Sequence, residues 1–349
     1  MNHYDLAPGY SISRVIKGGW QLAGGHGAID RDTSIKDMFA FCDAGITTFD
    51  CADIYTGVED MIGAFRSEYA MVKGAEALGQ VKVHTKCVPD LAVLGSVTRQ
   101  QIEAGIDRSL KRLGTNRLDL VQYHWWDYEV DRCTEVGLWL AEMQKKGKIA
   151  HLGGTNFDTD HMVALVRAGM PLVSMQVQYS LIDDRPARRM AEAGAEHGVH
   201  LICYGTVSGG LMSERWLGAA EPQDPYENRS LRKYKLIVDE FGGWALFQEL
   251  LAALDTVARR HDTDIASVAS RIMLDRPGVA AVIVGARNAD HVSRNAGLAT
   301  LDLTPEDTAQ IEAVLAKARK VPDDVFALER DQGGPHGSIM KYNLNKAPA

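Results

Sequence analysis

The sequence predicts an α/β chain folded as a single (β/α)8 TIM barrel over residues 1–349, and three observations predict it. Short β-branched apolar runs alternate with longer segments of helical periodicity. Eight such runs occur, the number that closes a barrel. After the first run, GGWQLAGGHG lacks the G-x-G-x-x-G spacing that a doubly wound, dinucleotide-binding sheet requires.

The runs are SRVIKGGW (13–20), TTFDCA (47–52), VKVHTKC (81–87), LDLVQYHW (118–125), IAHLGGTN (149–156), VSMQVQYS (173–180), VHLICYGT (199–206) and VAAVIVGA (279–286). Between the third and fourth, QIEAGIDRSLKRLG places Ile102, Ile106, Leu110 and Leu113 on one helical face and ends on Gly114, a common C-terminal cap. Residues 207–243 are rich in Gly, Pro and charge, and are expected to form a long functional loop after the seventh strand. A last helix opens at Thr304, whose hydroxyl caps an acidic first turn, and residues 322–349 follow as a C-terminal tail. Nothing in composition splits the chain into further domains.

The apolar fraction of 46% and charged fraction of 24% are those of a soluble globular protein. A net charge of -8 works against nucleic acid as a partner. Five cysteines without a CxxC pair suggest neither a zinc site nor a disulfide framework, but reduced thiols in a cytoplasmic protein. MNHYDLAPGYSISR has no signal-peptide core, and no apolar run is long enough to span a bilayer. Neither membrane nor metal is expected, and the pattern leaves oligomeric state open.

In such a barrel the C-terminal strand ends meet on one rim. The second run brings Asp50, with Tyr55 five residues on; the third brings Lys86 and the fourth His124. A phenol with a pKa near 10 exchanges protons poorly at neutral pH unless a cation stabilises its phenolate. Lys86 supplies that cation, Asp50 keeps it charged, and His124 can hydrogen-bond a substrate oxygen. This set suits protonation of a carbonyl by Tyr55. It carries no hydride, so a cofactor must supply one.

These residues resemble the aldo-keto reductases. GITTFDCADIYTGVEDMIGAF is similar to that family's signature, HTKC to its lysine motif and DLVQYHWWD to its histidine motif, so the resemblance implies a catalytic tetrad of Asp50, Tyr55, Lys86 and His124. It implies reduction of an aldehyde or ketone by NADPH, or the reverse oxidation of an alcohol or sugar, with NADH not excluded. By the same resemblance Thr155, Asn156 and Gln176 lie beside the nicotinamide carboxamide, and Tyr204 stacks on its ring. Gly19, Trp20, Gly205, Thr206, Ser208, Gly210 and Leu211 fall in the cofactor cradle, and Gly285, Arg287, His291 and Asn295 at the adenosine phosphate. His291 departs from the family's usual Arg or Gln and weakens the choice of NADPH over NADH. Trp20, Trp125 and Trp126 are expected to wall the pocket for a small carbonyl or sugar substrate.

Two decoys and one rival role accompany this reading. Tyr69 and Lys73 have the Y-x-x-x-K spacing of a short-chain dehydrogenase, without its dinucleotide turn. His124, His151 and Asp50 could serve a metal-dependent hydrolase, but without H-x-H or H-E-x-x-H spacing. The rival role is a non-catalytic nicotinamide-binding subunit of a redox-sensing assembly.

Overall fold

The computed structural model describes residues 2–24, 29–286 and 288–345. Among these described residues there are ten strands. β1 (His3–Ala7) and β2 (Tyr10–Ser13) pair as an antiparallel hairpin. β3 (Val15–Gly18), β4 (Thr48–Asp50), β5 (Lys82–Cys87), β6 (Leu118–Tyr123), β7 (Ile149–Thr155), β8 (Leu172–Gln178), β9 (His200–Tyr204) and β10 (Val279–Gly285) form the closed barrel, β10 pairing with both β9 and β3. All eight predicted runs fall on barrel strands, each parallel to its neighbours.

The hairpin was not anticipated. Its Leu6, Tyr10 and Ile12 join Ile16, Leu120, Ile202, Ala280 and Ala281 in a buried cluster that plugs the N-terminal end of the barrel. Ser13 and Thr48 lock it there through reciprocal backbone-to-hydroxyl bonds of 3.0 and 3.1 Å. The opposite, C-terminal rim is left for chemistry.

The predicted helix spans Arg99–Leu113, opened by a Thr98–Gln101 capping box and closed on Gly114 at φ 62. Thr304 caps the helix Pro305–Leu315 in the same way. The expected loop at 207–243 is corrected in part: it contains a helix, Arg229–Phe241, whose Asn228 side chain accepts from Leu231 N. Leu231, Tyr234, Ile237, Val238 and Phe241 are buried from this helix, each adding on the order of 1.5–3 kcal/mol of apolar burial. Likewise the tail is no bare strand of chain. It holds the helical turns Ala327–Arg330 and Gly337–Ile339 and returns to the barrel, where Tyr342 O accepts from Leu91 N at 2.9 Å. None of the described helices is long and apolar enough to cross a membrane.

Candidate active site

Strand alternation points every second residue into the barrel, which stacks Gln122 and His124 from β6 and its end beside Lys86 of β5 and Asp50 of β4. Lys86 Nζ lies 3.0 and 2.8 Å from the two Asp50 carboxylate oxygens and 2.8 Å from Cys51 O. Asp50 Oδ1 also accepts from Gln122 Nε2 at 3.0 Å and Gln176 Nε2 at 2.6 Å. All four side chains are buried. Burial works against the Lys86 ammonium, but Asp50, Tyr55 and Cys51 together raise it above the ordinary lysine range.

Tyr55 sits half-buried in the turn between β4 and the helix Val58–Lys73. Lys86 Nζ is 5.2 Å from its ring centroid, and Trp20 meets it edge-on at 5.1 Å. The expected lowering of its pKa is corrected: burial raises it above the ordinary phenol value, Lys86 opposing only in part. Tyr55 is therefore held as a protonated hydroxyl at neutral pH.

His124 Nδ1 lies 2.9 Å from Thr155 O. A carbonyl only accepts, so Nδ1 carries the hydrogen and Nε2 the lone pair. Burial, with Arg330 adding to it, pushes this imidazole down to about 3. Its Nε2 is buried and without a hydrogen-bond partner among the described residues, as is Trp126 Nε1 on the adjoining ring, 4.2 Å away between centroids. An acceptor and a donor thus remain at the rim for a ligand.

The three tryptophans separate. Trp20 is 42% exposed beside Tyr55, and Trp126 adjoins His124. Trp125, expected on the pocket wall, is fully buried and donates its indole N–H to Val130 O at 3.2 Å, so it packs beneath the rim instead.

Asn156 adopts φ 59, and its Oδ1 accepts from the Tyr204 hydroxyl at 2.9 Å. Gln176 spends its amide nitrogen on Asp50 and Gln122. Past β9 the chain runs through Gly205 (φ 75), Ser208 (φ 49), Gly209 (φ 64) and Gly210 (φ 95). A Cβ on Gly205 would lie 2.4 Å from the Tyr234 hydroxyl, so glycine lets this loop close onto the helix Arg229–Phe241. Thr206 is tied to Ser270 at 3.0 Å and Leu211 is core. A Cβ on Gly19 would lie 2.7 Å from Asp50 O, and one on Gly285 would lie 2.9 Å from Gln21 Nε2. His291 is exposed and Asn295 buried; Arg287 lies outside the described residues. The Ser208 hydroxyl and Asn295 amide nitrogen are buried without a partner among the described residues. Two orphaned polar groups, one on the turn after β9 and one on the helix Val292–Gly297 after β10, fit a polar, phosphate-bearing ligand along that rim.

Several residues were not anticipated. Gln122 was legible, since it alternates with Leu120 and His124 in LDLVQYH. Arg330 carried no signal: from the tail it donates to the carbonyls of Trp125, Trp126 (2.6 Å) and Asn156 (2.8 Å) and lies 3.9 Å over the Tyr128 ring. Arg185, after β8, pairs with Asp183 at 2.8 Å and with Glu329 of the tail at 3.0 Å, all three buried. Tyr69 and Lys73 lie on the barrel's outer helix, with Lys73 paired to Asp43 at 2.7 Å. His151 stacks on Tyr10 at the plugged end, 4.3 Å between centroids.

Residues 14–316 match the profile of the Aldo/keto reductase family. The chain is 28% identical over 320 residues to the aldo-keto reductase YhdN of Bacillus subtilis (strain 168), covering 88% of this chain and 91% of that one. To the chloroplastic pyridoxal reductase of Arabidopsis thaliana it is 27% identical over 328 residues, covering 89% and 85%. The solved structure of a glycerol dehydrogenase from Gluconobacter oxydans matches with a TM-score of 0.74 over 90% of this chain and 95% of that chain, at 22% identity, a likeness of fold.

Proposed function

The chain belongs to the aldo/keto reductase family and so is an NAD(P)H-dependent oxidoreductase of carbonyls and alcohols, and on that premise we propose that Tyr55 is its general acid/base. The carrying observation is the convergence of Tyr55, Lys86, Asp50 and His124 on one rim, with Asp50 and Lys86 buried as a hydrogen-bonded pair. Tyr55, held protonated, donates its hydroxyl proton to the carbonyl oxygen as negative charge develops there. The Lys86 ammonium then stabilises the phenolate left behind, and Asp50, fixed by Gln122 and Gln176, holds that ammonium in place. His124 Nε2 can accept a hydroxyl hydrogen but not give one in this tautomer, so it orients the alcohol and leaves proton donation to Tyr55.

NADPH is the proposed cofactor, with NADH as the competitor; when bound it supplies the hydride. Tyr204 would stack on the nicotinamide, Thr155 and Asn156 would meet its carboxamide, and Ser208 and Gly210 would line its phosphates. Asn295 and His291 would face the adenosine end. Trp20 and Trp126 would wall a site for a small carbonyl or sugar.

The test is turnover: NADPH oxidation with a panel of aldehydes and sugars, in wild type and Tyr55→Phe. We expect loss of about a hundredfold or more in kcat with cofactor binding retained. Equal rates would remove Tyr55 from the mechanism. Cofactor binding without turnover by the wild type would favour the redox-sensing role.

A further inference from the structure

Lys233, on the helix Arg229–Phe241, brings its ammonium 5.0 Å from the ring centroid of Tyr204 and 5.4 Å from that of Tyr234. It is not the only charge there. The buried Arg185–Asp183–Glu329 triad acts electrostatically on both Tyr204 and Lys233. Burial opposes the Glu329 carboxylate, but Arg185 holds it down at about 2, so it stays ionised. One guanidinium against two carboxylates leaves one negative charge in the triad. Burial lowers the Lys233 pKa, and Glu329 and Asp183 oppose that lowering, favouring the ammonium that offsets this charge.

Balanced charge at this ring matters because a nicotinamide is cationic when oxidised and neutral when reduced. A nearby ammonium raises the energy of the oxidised ring alone, and an uncompensated carboxylate lowers it. We propose that Lys233 sets the relative affinity of the site for reduced and oxidised cofactor, its ammonium at Tyr204 offsetting the triad and disfavouring the oxidised nicotinamide. The proposal rests on the stacking of nicotinamide at Tyr204 given above. Lys233 acts here on the bound cofactor's redox balance and not on the substrate proton, which belongs to Tyr55.

The experiment measures Kd for NADPH and NADP+ on the full chain, by fluorescence and calorimetric titration, in wild type, Lys233→Met, Lys233→Arg and Glu329→Gln. The NADH/NAD+ pair is measured alongside, and the tighter-binding pair is compared. Lys233→Met should move the ratio roughly tenfold toward the oxidised form, a shift of about 30 mV for a two-electron couple. Lys233→Arg should restore the wild-type ratio, and Glu329→Gln should move it the other way. A merely structural role would weaken both forms together. A ratio unmoved in a folded Lys233→Met protein, with both forms bound, overturns this proposal and leaves the nicotinamide reading intact. If that variant does not fold, Lys233→Gln carries the same comparison. A wild type that binds neither form overturns the nicotinamide reading and this proposal with it.

Discussion

Both carboxylate oxygens of Asp50 lie within 3.0 Å of Lys86 Nζ, in a place where neither side chain is more than 6% exposed. Removing one partner strands the other's charge or its hydrogen bonds. For Asp50→Asn we expect a stability loss of about 3–5 kcal/mol, the usual result of breaking a buried pair. Urea unfolding measures it, and a loss near zero would show that the pair is not coupled.

Tyr55 gives a pH signature with a definite sign. Burial raises its pKa above the ordinary phenol value, so the protonated hydroxyl persists through neutral and mildly alkaline pH. Carbonyl reduction should therefore hold through mildly alkaline pH and fall only where this raised phenol ionises, while alcohol oxidation should rise there. Lys86→Met, which removes the cation that partly counters burial, should push both limbs higher still. A limb that moves down in that variant would contradict the assignment.

His124 links the site to stability in acid. Its imidazole, with a folded value of about 3 against an ordinary 6.5, binds its proton more readily unfolded than folded. The contribution is whole above about pH 6.5 and is lost as pH falls from there toward 3. His84, pushed down to about 4 by burial, acts in the same sense. His124→Gln should flatten the acid side of the stability curve relative to wild type, measured by denaturant unfolding from pH 7 to pH 4. Parallel curves would show that His124 is not held neutral.

Arg330 fastens the tail to the rim through three backbone carbonyls. Replacing it with Met should cost about 2 kcal/mol, since hydrogen bonds from a charged donor run about 1.5–3 kcal/mol. Limited proteolysis should then cut the tail before the barrel, with KM for carbonyl substrates rising more than kcat falls. A tail as resistant as in wild type would assign its order to Glu329 instead.

Gly205 takes φ 75 against Tyr234. Gly205→Ala combines an unfavourable backbone with a clash and should cost about 1–3 kcal/mol. It should also weaken cofactor affinity, because Tyr234 and Lys233 sit on the helix it would displace. Unchanged melting and binding would show that the loop relaxes freely.

The barrel was legible because each of its strands is a short β-branched run bounded by helical periodicity, and the nearness of Asp50, Lys86 and Tyr55 because strand ends of a closed barrel converge whatever their separation in sequence. The helix Arg229–Phe241 was hidden by its surroundings. Leu231, Tyr234, Ile237, Val238 and Phe241 have helical spacing, but they follow a Gly- and Pro-rich stretch that reads as loop. The N-terminal hairpin offered two strands of four or five residues, too short for alternation to stand out. Glu329 and Arg330 look like an ordinary charged turn of a tail; what makes them matter is Arg185 and the Trp126 and Asn156 carbonyls, more than a hundred residues away. The Tyr55 acidity was misjudged because charges can be counted in sequence, whereas depth of burial cannot.

The plug made by β1 and β2 gives the molecule a direction for handling. A fluorophore, affinity tag or surface tether joined ahead of His3 rests against the sealed pole, remote from Tyr55. The same addition beyond Asn345 would tug at the tail that Arg330 and Glu329 hold to the rim, and whose Leu344 and Asn345 backbone N–H groups donate to Asp90 Oδ1 at 2.9 and 3.0 Å. Immobilisation through the leading end should therefore preserve turnover, and attachment through the trailing end should disturb it.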